Sequence, residues 1–296
     1  RAFIPLLSSF ACAIPGIMAS RTISDPRDRF TTIFVAPLMT CSARLPVYAL
    51  LIAAFIPEQT VWGIFNLQGL VLFALYMAGI VSALCVSFVL KFFHKDKSQH
   101  MLMMELPSYR FPDLKNIWIG LLDRAKIFLR RVGGIIFALS ILLWFLCTFP
   151  QAPEGATLPE IDYSFAGMLG HLLQPIFAPL GFNWQICIAL IPAMAAREVV
   201  VAALGTVYAL SAVDEDAMSQ GLASLISSGG ELGWSVATGL SLLVWFIYAP
   251  HCLATLATVK RETGSWKTVS FMTIYLFGLA YLMSFLTYQI ATHYLG

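Results

Sequence analysis

Long apolar runs constrain this chain more than any other feature. Six stretches, residues 32–56, 69–93, 131–149, 184–210, 233–258 and 268–293, meet or approach the length of about 20 mostly apolar residues that a helix needs to cross a hydrocarbon core about 30 Å thick. Inside lipid the backbone must satisfy its own hydrogen bonds, so such runs read as helices. Only 11% of the 296 residues are charged and 59% are hydrophobic, with mean hydropathy +0.79. A soluble domain carries about 25% charged residues, so an ordinary soluble globule is excluded. Two shorter apolar pieces flank the pattern. Residues 2–20 read as the end of a span, and 164–182, interrupted by Pro175 and Pro179, reads as either a crossing or a re-entrant segment. The expected fold is an all-α polytopic membrane protein with about 6–8 transmembrane or re-entrant helices. The chain opens on Arg1 with neither an initiator Met nor a signal-peptide pattern, and is read as a fragment.

Charge sets the orientation, because cytoplasmic loops are enriched in Lys and Arg. Nine of the eighteen basic residues lie between Lys91 and Arg131, which puts that segment in the cytoplasm. The loops with Arg21, Arg27 and Arg29, and with Lys260, Arg261 and Lys267, belong on the same side. Residues 57–68, 150–163 and 211–232 carry acids and no Lys or Arg. The scheme closes if 164–210 begins and ends outside, either as two crossings joined at Gly181-Phe182-Asn183 or as a hairpin that never fully crosses. In the basic segment, Leu114, Ile117, Trp118, Leu121, Leu122 and Phe128 recur at helical spacing, which predicts an amphipathic helix at the interface. Such a helix serves either as a passive anchor or as a coupling element toward a soluble partner.

Three charged residues fall well inside the apolar stretches: Arg44, Arg197 and Glu198. Each costs about 2.5 to 3.5 kcal/mol at the bilayer centre on the insertion scale, so each needs a partner. Arg197 and Glu198 are adjacent and point about 100° apart on a helix, so they cannot share one partner. An Arg44–Glu198 pair is expected, with Arg197 turned toward helix carbonyls or the interface.

Pro15, Pro37, Pro46, Pro192 and Pro250 also sit within apolar stretches, where each removes a helical hydrogen bond. Three of the six cysteines lie beside them: Cys12 before Pro15, Cys41 between Pro37 and Pro46, and Cys252 after Pro250. Helices broken in this way are how many transporters build ion sites at the bilayer midplane. Carbonyl oxygen, thiolate and carboxylate together make a mixed ligand set that suits a borderline divalent metal such as Fe²⁺. Met39 and Met194 repeat a Pro-x-Met pattern and are soft-ligand candidates, with packing the simpler reading, and His251 adjoins Cys252. Cys85, Cys147 and Cys187 have no proline neighbour and read as small apolar side chains. Cys12 is followed nine residues later by Arg21-Thr22, and Cys252 nine residues later by Arg261-Glu262-Thr263, an echo that suggests two related halves. P-loop, His-Glu-x-x-His, Cys-x-x-Cys and Gly-x-Ser-x-Gly patterns do not occur, and no catalytic site is expected in these residues.

The segments Ile4-Pro-Leu-Leu-Ser-Ser-Phe-Ala-Cys12-Ala-Ile-Pro15, Ala36-Pro-Leu-Met-Thr-Cys41-Ser-Ala-Arg44-Leu-Pro46, Arg197-Glu198-Val-Val-Val201 and Ala249-Pro-His-Cys252 through Lys260-Arg-Glu-Thr-Gly-Ser-Trp266 resemble the membrane domain of the bacterial ferrous iron transporter B (FeoB) family. The resemblance runs over essentially the whole chain. It implies Fe²⁺ uptake across the cytoplasmic (inner) membrane, with Cys12, Cys41 and Cys252 as the family's membrane cysteines and Glu198 as its membrane carboxylate. Arg44, Arg197, Pro37, Pro46, Pro250, Met39, Met194 and His251 would support or gate them. His251 departs from the apolar or small residue expected there.

The same resemblance implies an N-terminal GTPase domain using GTP and Mg²⁺, absent from these residues, a small SH3-like accessory protein of the FeoA type, and homo-oligomers. The implied division is 1–56, the remainder of Gate 1 and the following span; 57–93, the next span; 94–130, the basic segment; 131–163, a span and outer loop; 164–258, the Gate 2 region; and 259–296, a cytoplasmic loop and the last span. Two competing readings are an organic-solute carrier of nucleoside type using Arg44 and Glu198, and a membrane thiol sensor without transport.

Overall fold

The computed structural model describes residues 3–56, 60–61, 65–93, 113–150, 163–194, 197, 199–201, 203–204 and 235–295. The described helices are α1 (Phe3–Ser9), α2 (Ala13–Ala19), α3 (Pro26–Val35), α4 (Leu45–Phe55), α5 (Leu67–Phe93), α6 (Leu114–Thr148), α7 (Phe165–Phe177), α8 (Trp184–Ala193), α9 (Val236–Tyr248), α10 (Leu253–Thr263) and α11 (Trp266–Leu295). The only strands among the described residues are β1 (Thr60–Val61) and β2 (Phe65–Asn66), an antiparallel pair with Thr60 opposite Asn66 and Val61 opposite Phe65. The fold is the expected all-α polytopic membrane class.

Among the described residues, three helical segments are long and apolar enough to cross a membrane: Pro26–Phe55, Leu67–Phe92 and Trp266–Tyr294. The stretches 69–93 and 268–293 form unbroken helices, α5 and α11. Both show large apolar side chains to the outside, among them Phe73, Leu84, Phe88, Phe271, Ile274 and Leu282, as a lipid-facing surface requires. The stretches 32–56 and 233–258 are not single helices. The first divides at Met39–Cys41 between α3 and α4, and the second at Ala249–Cys252 between α9 and α10. Residues 2–20, expected as the end of one span, form two seven-residue helices. Gly16 lies against Ser9 and the Pro5 carbonyl, so α2 folds back on α1.

The segment 164–182 and the start of the next stretch form α7 and α8, which meet at 100°. Gly181 makes the corner with φ 80° and its α-carbon close to the Tyr288 ring, a place where a Cβ has no room. Asn183 then caps α8 by accepting from the Ile186 N–H at 3.1 Å. The amphipathic helix expected at the interface is present, but it runs without interruption into the following span. α6 is one helix of 35 residues, about 52 Å long, so the amphipathic segment and the apolar residues that follow it share a single axis.

The core joins α3, α4, α8, α9 and α11 through Phe34, Tyr48, Leu51, Ile186, Leu243, Phe246 and Leu276, all nearly or wholly buried. α9 packs closely along α11, locked by reciprocal bonds in which Ser241 Oγ donates to the Ser284 carbonyl at 3.2 Å and Ser284 Oγ to the Ser241 carbonyl at 3.0 Å. Tyr275 donates to the Phe34 carbonyl at 2.6 Å, tying α11 to α3. This frame holds the broken helices in place.

Candidate functional site

Each of the three proline-flanked cysteines stands where a helix has been interrupted and the next begins. Cys12 precedes α2 (φ −157°, ψ 133°), Cys41 precedes a 3₁₀ turn at Ser42–Arg44 (φ −86°, ψ 161°), and Cys252 precedes α10 (φ −161°, ψ 98°). All three backbones are extended, so main-chain polar groups and thiols share the same non-helical places. Pro37 lies in the 3₁₀ turn Ala36–Leu38 ahead of Cys41, and Pro250 lies in the break ahead of Cys252. Pro46 is in the first turn of α4, where its missing N–H has no helical partner to lose. The three thiols are free and half-buried.

Polar contacts link these breaks to one another. Ser42 Oγ donates to the Ala11 carbonyl at 2.9 Å, joining the Cys41 break to the Cys12 turn. Arg197 reaches two breaks at once: its Nη1–H donates to Cys41 Sγ at 3.3 Å and its Nε–H to the His251 carbonyl at 3.2 Å. A small pocket lined by Pro37, Arg197, Pro250, Cys252, Thr255 and Met272 lies beside this junction.

Arg44 is wholly buried and donates from Nη1 to the Met39 carbonyl at 3.3 Å and from Nη2 to the Pro37 carbonyl at 3.2 Å. It satisfies the acceptors that the break at Pro37 leaves without helical donors. The expectation that Arg44 pairs with Glu198 falls outside the described residues, because Glu198 is not among them. Arg197 does reach a carbonyl, as expected, and a sulfur as well. Met39 packs in the apolar core while its carbonyl receives Arg44, and Met194 caps the end of α8. His251 is buried against the rings of Phe246, 4.7 Å away, and Trp245, 6.4 Å away. Cys187 packs in the core and Cys85 is exposed on α5. Among the described residues, no three His, Cys, Asp or Glu side chains lie close enough to hold a metal ion together.

Several polar groups around this junction have no sequence motif to announce them. Thr40 Oγ1, Arg44 Nε, Tyr48 Oη, Trp245 Nε1 and both ring nitrogens of His251 are buried without a hydrogen-bond partner among the described residues. The available signal was the polar run Thr40-Cys41-Ser42 inside an apolar stretch.

The two halves of the sequence echo meet at one end of the fold. Arg21 donates through Nε and Nη2 to the two carboxylate oxygens of Glu262, and Arg29 Nη2 donates to Oε2 at 3.0 Å and to the Glu262 carbonyl at 3.4 Å. The Glu262 carboxyl is held below its ordinary range, first by the Arg21 hydrogen bond and further by the charges of Arg21 and Arg29. Lys91 lies 3.7 Å from Asp28, and Lys260 stacks 4.0 Å from the Trp266 ring. The basic loops assigned to one side by charge do gather at one end of the fold.

Two family models match the chain. The Gate family, described as nucleoside recognition, matches residues 1–55 and 129–266, and the ferrous iron transport protein B C terminus matches residues 72–124 between them. The chain is 39% identical over 302 residues to the Fe(2+) transporter FeoB of Leptospira interrogans, covering 98% of this chain and 43% of that protein. It is 33% identical to the Fe(2+) transporter FeoB of Campylobacter jejuni, covering 98% and 46%. It is 36% identical to a Fe(2+) transport protein A/Fe(2+) transporter FeoB fusion protein of Porphyromonas gingivalis, covering 98% and 38%. The chain therefore spans less than half the length of these curated relatives, and no solved structure matches it. Two Gate segments on either side of a segment that matches the ferrous iron transport protein B C terminus, in a fold with several membrane-length apolar helices, establish that this chain belongs to the Gate family.

Proposed function

We propose that this chain forms the membrane pathway for ferrous iron uptake, in which Fe²⁺ passes between the three broken-helix cysteines, Cys12, Cys41 and Cys252, with Glu198 as the carboxylate ligand. The observation that carries this reading is the convergence of three interrupted helices, joined through Ser42 and Arg197. Interrupted helices supply both thiols and free carbonyls, a ligand mixture suited to a borderline divalent ion. A transported ion must also leave, so successive partial sites suit conduction better than one closed ligand cage.

Control of opening by the nucleotide state of a GTPase domain that binds GTP and Mg²⁺ is part of this reading, as the resemblance to the FeoB family implies. The fused relative in Porphyromonas gingivalis supports a FeoA-type partner. These residues serve transport and carry no enzymatic step of their own. Replacing Cys41 or Cys252 with Ser and measuring Fe²⁺ uptake under anoxic conditions tests the pathway. Uptake should fall at least about tenfold, the scale of one lost charged contact. Unchanged uptake in both variants would remove the thiol pathway, and competition by nucleosides but not by divalent metals would favour an organic-solute carrier.

A further inference from the structure

Arg197 is a buried cation set against a sulfur that the proposed pathway assigns to the metal, so its role depends on that assignment of Cys41. The residue is 6% exposed. Its two described bonds go to Cys41 Sγ and to the His251 carbonyl, and no carboxylate reaches it among the described residues. Arg44, wholly buried, donates to the Pro37 and Met39 carbonyls of the same break, so two guanidinium groups serve the break around Cys41, against carbonyls and one sulfur. Thiolate sulfur is both the best acceptor for a guanidinium here and the form that ligates metal. A divalent cation and a guanidinium compete for that sulfur, because their charges repel in a poorly solvated site.

We propose that Arg197 is a tethered counter-cation that occupies Cys41 in the metal-free state and is displaced by the incoming divalent ion. Its departure frees the His251 carbonyl and loosens the break at Ala249–Cys252, which lets Cys252 take the ion next. The step is the exchange of one cation for another at one sulfur, with no electron transferred. The second bond gives the exchange its direction: the group that leaves Cys41 is the same group that pins the backbone beside Cys252. His251 adds to this, since its two ring nitrogens are buried without a partner among the described residues and are available once the loop moves. Arg197 is thus a positioning residue, acting on the pathway through the group it holds.

The test is an anoxic titration of the purified protein with Co²⁺, a substitute for Fe²⁺ whose thiolate complexes absorb strongly in the near ultraviolet. Arg197→Met and Arg197→Gln should bind Co²⁺ through sulfur at least about tenfold more tightly than the unmodified protein, the scale of one charged hydrogen bond, while Fe²⁺ uptake falls. Equal or weaker binding in folded variants would overturn the counter-cation role and leave Arg197 a structural tie. Cys41→Ser separates the two ideas: if it keeps the full sulfur absorption, Cys41 is not a ligand and the underlying pathway assignment fails on its own. If neither Arg197 variant folds, amide hydrogen exchange of the unmodified protein over residues 249–256 decides the matter. Exchange should rise on adding Co²⁺, and unchanged or slower exchange would refute the displacement.

Discussion

Replacing Arg44 should invert the usual ranking of conservative and radical substitutions. The guanidinium is wholly buried and spans two carbonyls, those of Pro37 and Met39, while its Nε has no partner among the described residues. Arg44→Met removes two polar bonds, together worth about 1 to 3 kcal/mol on the membrane-protein scale, and relieves about 2.5 to 3.5 kcal/mol of charge burial. By the same magnitudes the net change should lie between about 0.5 kcal/mol of destabilisation and about 2.5 kcal/mol of stabilisation. Arg44→Lys keeps the buried charge, but its compact ammonium lacks the planar fork that reaches both carbonyls. Losing one bond and leaving one carbonyl unpartnered should destabilise by about 1 to 2 kcal/mol. Lys should therefore unfold below Met by several degrees, given about 2 to 4 °C per kcal/mol in a chain of roughly this size. Thermal unfolding in detergent, followed by intrinsic fluorescence, reads this directly. A Lys variant as stable as the unmodified protein, or more stable than Met, would refute the assignment of Arg44 as a two-carbonyl clamp.

Three further outcomes rest on the same packing. Gly16→Ala should destabilise by about 1 to 3 kcal/mol, because its Cβ would lie 2.0 Å from Ser9 Oγ and 2.7 Å from the Pro5 carbonyl. Gly278→Ala, with no neighbour within 4 Å in the helix interior, should be stabilising by up to about 1 kcal/mol in the same melt, and equal effects at both glycines would contradict the α1–α2 packing. The depressed carboxyl of Glu262 gives stability that is complete above its unfolded value near 4.5 and lost as pH falls through the lower folded value. Glu262→Gln should accordingly lower the melting temperature by a constant amount at neutral pH, with the gap closing below about pH 4.5, and a gap that persists there would show that the charge is not responsible.

Composition and apolar length made the class of this fold legible, because it derives from transfer of side chains into lipid. Proline spacing located the breaks near Cys41 and Cys252, since a missing N–H is a local property. The fold-back of α2 on α1 was not legible, because it depends on Gly16 meeting Pro5 and Ser9 across a turn. Nor was the continuity of α6: periodicity reports which face is apolar and says nothing of whether a helix bends at the membrane surface. The partners of the buried arginines were half legible. Burial demanded partners, but the choice of Cys41 sulfur and three backbone carbonyls arises from tertiary geometry that joins residues as far apart as 41 and 197. The meeting of Arg21 with Glu262 gives the short sequence echo a physical meaning, as the two half-related segments end against each other.

X-ray absorption at the iron edge, on protein loaded with Fe²⁺ under anoxic conditions, tests the central claim most directly. Sulfur scatterers should appear in the first coordination shell and diminish when Cys41 and Cys252 are both replaced by Ser. A shell of oxygen and nitrogen alone, or a sulfur contribution unchanged in the double variant, would contradict a pathway built on the broken-helix cysteines.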